Sequence, residues 1–300
     1  MNPANRKAPK TVPDSKPILV FGAGGTFARH IAPALMARGA RVRGVVHNDA
    51  GEDVARSCGV DDIVRADLHD EHSLRRVLAG IDRLFYIAPK FLADEEKTGA
   101  RLVRLAAEAG VERFVFSGVI YPFLGDMINH WAKNGVQEAL VKSGMAYTIL
   151  QPTNLMQSIG AFFWHKTLET GSYVEPWGQD KPLAWVDYRD VAEVAAMALL
   201  DDELKNAVFE LSSAGMITRD DMVRLMSEAL GREITTRTIP IEEWDGGNVA
   251  HDPAMHKAFL NFARFYDEHG LPGGNDLVLR SLLRREPRTI SSYIKELSAQ

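Results

Sequence analysis

Three glycines, Gly22, Gly24 and Gly25, directly follow the apolar run at residues 17–21. Glycine loses more conformational entropy on folding than any other residue, so a cluster indicates a forced backbone angle or the close approach of a ligand. The spacing Gly22-x-x-Gly25-x-x-Ala28 fits a dinucleotide-binding turn. Gly22 would end the strand in a tight turn, and Gly25 would let the backbone approach a pyrophosphate. The small Ala28 would let the following helix pack close to the sheet.

A helix that begins near Thr26 would turn the free N–H groups of its first residues, Thr26 and Phe27 among them, toward the phosphates. The more familiar G-x-G-x-x-G pattern would need glycine where Phe27 stands. A glycine-rich turn without a ligand is the alternative interpretation. The turn lies after an apolar strand, before a helix and at the start of a strand–helix series, and that context favours a dinucleotide.

The end of the second predicted strand bears on the choice of cofactor. An acidic residue there holds the ribose 2′-hydroxyl of NAD, whereas a basic residue accepts the 2′-phosphate of NADP. This strand ends in Val46, His47 and Asn48, and the nearest acid, Asp49, comes late. Arg43 and His47 could face the phosphate, with Asn48 beside them, so NADP is predicted in preference to NAD. The alternatives are a solvated Arg43 and an Asp49 that caps the next helix.

Short β-rich runs alternate with helical patterns up to about residue 150. Several of the runs are apolar almost throughout, which is typical of a parallel sheet covered on both faces. The pattern predicts an α/β fold with a doubly wound parallel Rossmann sheet. The predicted strands are residues 17–22, 41–46, 62–66, 83–88, 113–118, 146–151 and 207–212, and the predicted helices are 28–38, 74–79, 98–109, 132–142 and 191–200.

The domain organisation follows from a change near residue 150, where the regular alternation of strand and helix patterns ends. Residues 1–16 carry three prolines and predict a disordered leader, and residues 17–151 form the dinucleotide-binding domain. Residues 152–300 form a smaller mixed region with a further sheet unit at about 184–212, and three helical stretches close the chain. The substrate is expected in the crevice between the two parts.

Composition excludes several classes of function. The formal net charge of -5 argues against a general nucleic-acid-binding protein. A single cysteine, Cys58, allows neither an intrachain disulfide nor a cysteine metal cluster, so no metal is expected. Neither a signal peptide nor an apolar membrane span is evident, and a cytoplasmic protein is the expectation.

The motifs GAGGTFA, ADLHDEHSLRRVLAGIDRLFYIA, FVFSG, HWAKNGVQEALVKSGMAYTILQPTNLMQ and WVDYRDVAEVA together cover about residues 17–200. In these stretches the chain resembles the NmrA-like and isoflavone-reductase-like group of atypical short-chain dehydrogenases. The resemblance implies that Asp67 and Leu68 flank the adenine. It also implies that Ala88 and Pro89 line the cofactor. Helix or turn capping is the alternative role for Asp67.

The same resemblance places two further residues, Ser117 and Pro152, beside the cofactor, with capping again the alternative for Ser117. The relatives usually carry glutamate where Gln137 stands and arginine where Gln151 stands. Because this arginine is missing, the substrate of the relatives cannot be carried over to this chain. Aromatic residues beyond this turn could stack on a planar substrate or form core: Phe162, Phe163, Trp164, Trp177 and Trp185.

Catalysis is predicted by resemblance as well. Short-chain dehydrogenases commonly use Tyr-x-x-x-Lys, but here Asn129 stands four residues before Lys133. In isoflavone-reductase-like proteins a lone lysine at this place acts as general base or holds the nicotinamide ribose, and Lys133 resembles it. His130 could relay protons or cap the helix, and Tyr121 is a further possible donor. A solvated Lys133 is the alternative.

Two functions are compatible with these features. The first is an NADP(H)-dependent oxidoreductase acting on a small planar, carbonyl or quinone substrate. The second is a catalytically silent NAD(P)-binding redox sensor that acts through a protein partner. The absent tyrosine favours the sensor, whereas Lys133 and the aromatic segment favour the enzyme, which is the predicted function.

Overall fold

The computed structural model describes residues 16–243 and 253–300. Residues 1–15 of the expected leader lie outside this range. The strands are β1 (Ile18–Phe21), β2 (Val42–Val46), β3 (Asp62–Arg65), β4 (Arg83–Ile87), β5 (Arg113–Ser117), β6 (Ala146–Pro152), β7 (Asn154–Leu155), β8 (Ser172–Glu175), β9 (Leu183–Val186), β10 (Ala207–Leu211), β11 (Met216–Ile217) and β12 (Thr235–Thr238).

The α-helices of the described residues alternate with these strands in the first half of the chain and cluster at its end. They are α1 (Ile31–Met36), α2 (Asp49–Ser57), α3 (Glu71–Leu78), α4 (Glu95–Glu108), α5 (Ile128–Lys142), α6 (Trp164–Thr170), α7 (Tyr188–Leu200), α8 (Arg219–Leu230), α9 (Pro253–His269), α10 (Leu277–Leu283) and α11 (Ile290–Ser298). A short 3₁₀-helix at Ala28–His30 leads into α1, and a π-helix at Ile159–Phe163 leads into α6.

The central sheet has seven parallel strands in the order β10-β6-β5-β4-β1-β2-β3. After β3 the chain returns to the middle of the sheet and adds β4 on the other side of β1. The order therefore reverses between β1 and β4, and ligands of such sheets bind in the crevice outside the carboxyl ends of the strands at that point. The predicted fold class is confirmed.

Alternate residues of β1 enter two different cores. Ile18 and Val20 pack with α1 and α7 on one face, whereas Leu19 and Phe21 pack with α3, α4 and α5 on the other. This alternation follows from the two-residue period of a strand. Both faces of the sheet are covered by helices, which explains the nearly continuous apolar character of these strands.

Residues beyond β6 build a third core around two small sheets, one with the order β11-β9-β7 and the other pairing β12 with β8. Within the 184–212 unit, β10 joins the central sheet beside β6, but β9 belongs to the three-stranded small sheet. Only part of that unit therefore extends the main sheet.

The structure corrects several predicted elements. Four helices, not three, follow β10 within the described residues, and neither α2 nor α6 is among the predicted helical segments. The first helix is shorter than the predicted 28–38, since its first turn is a 3₁₀-helix, while α3, α4 and α5 each begin three or four residues earlier than predicted. The starts of α3 and α4 were missed because their first residues are polar and hide the apolar period.

Candidate functional site

The glycine turn (residues 22–28) leaves β1 at the carboxyl edge of the sheet. Gly22 has a φ of +70°, a left-handed conformation that a side chain would strain. Its N–H donates to the carbonyl of Val45 on the neighbouring strand, and the N–H of Gly25 donates back to the carbonyl of Gly22 at 2.7 Å. Ala28 is buried beside Gly22, so the small residue does bring the helix against the strand.

The space over Gly25 is open. A Cβ at this position would meet one atom within 4 Å, the carbonyl oxygen of Gly22 at 3.1 Å. Within the described part of the chain, the backbone N–H groups of Thr26 and Phe27 have no hydrogen-bond partner. Open space above a glycine and unpartnered N–H groups at a helix start together fit a phosphate of a dinucleotide.

Gly24 is required for a different reason. A Cβ there would lie 2.0 Å from the carbonyl oxygen of Gly51, in the first turn of α2. The glycine turn and α2 therefore touch backbone to backbone. Phe27 fixes the other side of the turn, because its ring lies 5.5 Å from the ring of Tyr188 on α7.

The polar side chains at and near the end of β2 differ in whether they already have a hydrogen-bond or ion-pair partner. His47 is exposed at the strand tip. Asn48 caps α2 by accepting from the N–H of Gly51 at 2.9 Å, so the cap is Asn48 and not Asp49. Arg43 lies three residues back from the strand end, about 10 Å away at the usual rise, and pairs with Asp62 at 3.0 Å. Of Arg43, His47 and Asn48, His47 is the one at the strand tip for which the described residues show no hydrogen bond or ion pair.

Arg65, at the end of β3, is a basic residue that the sequence reasoning did not consider. Its guanidinium pairs with Asp49 and with Glu52, the latter at 2.9 Å, and these pairs raise the pKa of Arg65. Half of the side chain is exposed. Arg65 pairs with Val46 of β2 in the parallel register. A prediction that β2 and β3 are neighbours would therefore have placed Arg65 at the end of β2.

Asp67 presents an ionised carboxylate just after β3. The N–H of His69 donates to its Oδ1 at 2.8 Å, and this bond holds the pKa of Asp67 below its usual range. The side chain is 53% exposed, which leaves oxygen available to accept a hydrogen bond from a ligand. Leu68 packs partly into the core beside α3 and α4. His47 is close enough to Asp67 for its charge to lower the same pKa.

Ala88 and Pro89 continue β4 at the same edge and keep some exposure. Ser117, in contrast, is fully buried at the end of β5 and accepts from the hydroxyl of Tyr188 at 3.1 Å. The structure therefore gathers residues 22–28, His47, Asp67, Ala88 and Pro89 along one edge. Arg43 lies further back along β2, and Ser117 lies at this edge but is buried beneath Tyr188.

Lys133 is held by a buried carboxylate. Its Nζ lies 2.5 and 2.6 Å from the two carboxylate oxygens of Glu95, the first residue of α4. Glu95 is 1% exposed and Lys133 is 13% exposed. Burial raises the pKa of Glu95, and Lys133 opposes that shift. An ammonium has three N–H donors, so at least one remains for a ligand.

Two glycines permit this pairing. A Cβ at Gly99 of α4 would lie 2.4 Å from a methyl of Val136 on α5, and a Cβ at Gly135 of α5 would lie 2.1 Å from the side chain of Glu96. The two helices can approach this closely only because both positions lack a side chain. The sequence alone does not reveal Glu95 as the partner of Lys133, because the contact joins residues 38 positions apart.

His130 is buried and neutral. Its Nδ1 lies 3.4 Å from the carbonyl oxygen of Tyr121, and burial lowers its pKa to about 4. Tyr121 has a φ of +52°, is half-buried, and packs its ring 5.8 Å from the ring of Phe123. Burial also raises the pKa of the Tyr121 hydroxyl. His130 thus supports the loop that carries Tyr121.

The two departures from the family pattern touch each other. Gln151 Nε2 on β6 donates to Gln137 Oε1 on α5 at 2.9 Å. A neutral amide pair stands here in place of the acid and base that the resemblance leads one to expect. The two replacements therefore occur together, and both members of the expected acid–base pair are neutral amides in this chain. Pro152 ends β6 beside this pair and is buried.

The aromatic residues beyond β6 divide into two groups. Trp164, Trp177 and Trp185 are buried, whereas Phe162 is 51% exposed. Most of these aromatic side chains therefore belong to the hydrophobic core. In the described residues, no group of histidine, cysteine, aspartate and glutamate side chains could hold a metal ion.

Comparison with known proteins identifies the family. The sequence profile of the NmrA-like family matches residues 14–294, and the chain belongs to this family. It is 28% identical over 228 residues to an NAD(P)H azoreductase of Xenophilus azovorans, covering 75% of this chain and 78% of that protein. It is also 28% identical over 250 residues to a (4-alkanoyl-5-oxo-2,5-dihydrofuran-3-yl)methyl phosphate reductase of Streptomyces griseus, covering 82% and 86%.

Solved structures share the fold. A Citrobacter triphenylmethane reductase complexed with NADP(H) superposes with a TM-score of 0.78 at 19% identity, covering 94% of this chain and 100% of that one. An NADPH-dependent quinone oxidoreductase of Escherichia coli complexed with NADPH gives 0.78 at 19% identity, covering 93% and 99%. No helix among residues 16–243 and 253–300 has the length and apolar character needed to cross a membrane.

Proposed function

We propose that this chain is an NADPH-dependent oxidoreductase that reduces a small planar carbonyl or quinone compound. The observation that carries the proposal is the open glycine turn at the switch point of a parallel sheet, where the N–H groups of Thr26 and Phe27 have no partner among residues 16–243 and 253–300. The family relatives named as an NAD(P)H azoreductase and a quinone oxidoreductase support the same kind of chemistry.

The residues that would hold the dinucleotide follow the edge of the sheet in order. The glycine turn would take the pyrophosphate, Asp67 the adenine amine, and Ala88 with Pro89 the nicotinamide side. His47 at the end of β2 supports the 2′-phosphate and hence NADP, since no acid occupies the strand tip. When bound, the nicotinamide supplies the hydride chemistry, and the protein supplies position and electrostatics.

Lys133 serves as a charged donor in this proposal. The buried carboxylate of Glu95 holds the Nζ of Lys133 in place and leaves at least one N–H donor for a ligand. The ammonium can donate a hydrogen bond to an oxygen in the cleft and stabilise negative charge that develops there. This role needs no tyrosine at position 129.

The test is consumption of NADPH with a panel of quinones, enones and aldehydes, compared with NADH. Lys133→Met should lower turnover at least about a hundredfold, in the range of losing one electrostatic donor. Lys142→Met is the matched control, because Lys142 lies on the same helix, is 72% exposed and pairs with Glu138 in solvent. It should turn over like the parent.

Two results would decide against the proposal. Equal turnover in both lysine variants would remove Lys133 from the chemistry. Tight binding of NADPH without turnover across the panel would favour the sensor, and a protein partner would then be sought.

A further inference from the structure

Lys90 is a cation in the cleft that the predicted site does not use. It lies three residues after the end of β4, directly after Ala88 and Pro89. Its Nζ stands 4.7 Å from the ring centroid of Phe162 and 5.1 Å from that of Phe91. The Phe91 ring belongs to the third core, and Phe162 lies exposed on the π-helix beyond β6, so neither ring is part of the glycine turn. Lys90 therefore stands on the substrate side of the cleft.

The backbone fixes this position. Phe91 has a φ of +56°, an uncommon conformation for a residue with a side chain, which persists only where the surroundings impose it. Its buried ring packs edge-on against Phe259 and Phe262 of α9, at 5.8 and 5.9 Å. Because the Phe91 ring is anchored in the core, the backbone of the preceding Lys90 is held beyond the carboxyl end of β4.

Within the described residues, Lys90 has no carboxylate partner, and its recorded contacts are the two aromatic rings. Lys133 and Lys142, in contrast, are both paired with glutamates. The residue stays open to solvent, yet the protein around it strips water from the ammonium and lowers the pKa to about 8. Aromatic faces attract a cation but do not neutralise it. A partly dehydrated, unpaired ammonium binds an anion more strongly than one in bulk water.

Phe162 is the second residue of interest, because its ring contacts the Lys90 ammonium. It is half-exposed on the π-helix at Ile159–Phe163, a rare element that is frequent at functional sites. The Lys90 ammonium stands over this ring, so a planar substrate ring packed against the exposed remainder of Phe162 would bring an acidic group on it to the ammonium.

We propose that Lys90 and Phe162 form an anion subsite, so that the substrate is a planar ring bearing a carboxylate, sulfonate or phosphate. This assignment rests on the proposed reductase function and narrows its substrate class. A phosphate of the cofactor is the other source of the same chemistry, and the experiment separates the two.

The test compares a naphthoquinone with the same naphthoquinone carrying a sulfonate. Lys90→Met should raise KM for the sulfonated compound roughly tenfold or more, as expected for losing one partner of a charged pair. KM for the neutral compound and the Kd of NADPH should stay unchanged. Lys90→Arg, which keeps the charge, should retain most of the preference.

Equal effects of Lys90→Met on both quinones would overturn the proposal, as would a loss confined to NADPH affinity, which would place Lys90 on the cofactor. A second readout does not need turnover: calorimetric binding of naphthalenesulfonate in the presence of NADP⁺. If the parent reduces no quinone, the proposed function fails, while tenfold weaker sulfonate binding by Lys90→Met still supports the subsite. Equal sulfonate binding by parent and variant overturns it.

Discussion

Replacement of Gly25 by alanine separates ligand binding from folding at the glycine turn. The new Cβ would meet only the carbonyl oxygen of Gly22, at 3.1 Å, and the residue has no left-handed φ to strain. The stability loss should therefore be about 1 kcal/mol or less. The same methyl group would stand where a pyrophosphate must approach the N–H groups of Thr26 and Phe27.

The expected loss of affinity can be worked from those two donors. A hydrogen bond to a charged group contributes about 1.5–3 kcal/mol, so losing two costs about 3–6 kcal/mol. This corresponds to a Kd for NADPH that rises by roughly two to four orders of magnitude. The assay is titration of tryptophan fluorescence with NADPH, paired with a thermal unfolding curve for each variant.

Gly24→Ala is the matched control, because its Cβ would lie 2.0 Å from the carbonyl oxygen of Gly51 and would push α2 away. It should lower the melting temperature more than Gly25→Ala does. An unchanged Kd for NADPH in Gly25→Ala, with the fold intact, would refute the assignment of this turn to a phosphate.

Three further predictions concern Glu95, His47 and His130. Glu95→Gln leaves the Lys133 ammonium beside a neutral amide. The free energy of unfolding should therefore fall by about 3 kcal/mol, and kcat should fall as well. Denaturant unfolding and turnover check this, with the exposed Glu96→Gln as control, and equal behaviour of the two variants would count against the pair. His47→Asp should shift preference from NADPH toward NADH, measured as the ratio of kcat/KM values, and an unmoved ratio would mean that the 2′-phosphate is recognised elsewhere. Burial lowers the pKa of His130 to about 4 from 6.5, so the unfolded chain binds more protons between those values and stability falls as the pH drops from 6.5 to 4, by on the order of 3 kcal/mol. His130→Gln should flatten that part of the curve of unfolding free energy against pH, and an unchanged slope would contradict the buried neutral histidine.

Local features were predictable from the sequence. The glycine turn depends on residues within seven positions of one another, and its strand and helix carry their own apolar patterns. The order of the central strands follows from general rules for βαβ connections. The fold class was therefore within reach before any coordinates existed.

Contacts between distant segments were not predictable in the same way. Lys133 meets Glu95 only because Gly99 and Gly135 let α4 and α5 approach, and no single window of sequence contains that geometry. Ser117 ends a strand as predicted, but α7 covers it through Tyr188. Lys90 looks like an ordinary loop lysine until the Phe91 turn and the Phe162 ring are placed around it.

The proposed reaction is the transfer of a hydride from NADPH to a planar carbonyl substrate. Its most direct test is a single-turnover experiment in which the NADPH complex is mixed rapidly with naphthoquinone sulfonate while nicotinamide absorbance is followed. We expect that absorbance to be lost in one phase, and much more slowly in Lys133→Met. Nicotinamide that stays bound and reduced in the presence of the quinone would contradict it.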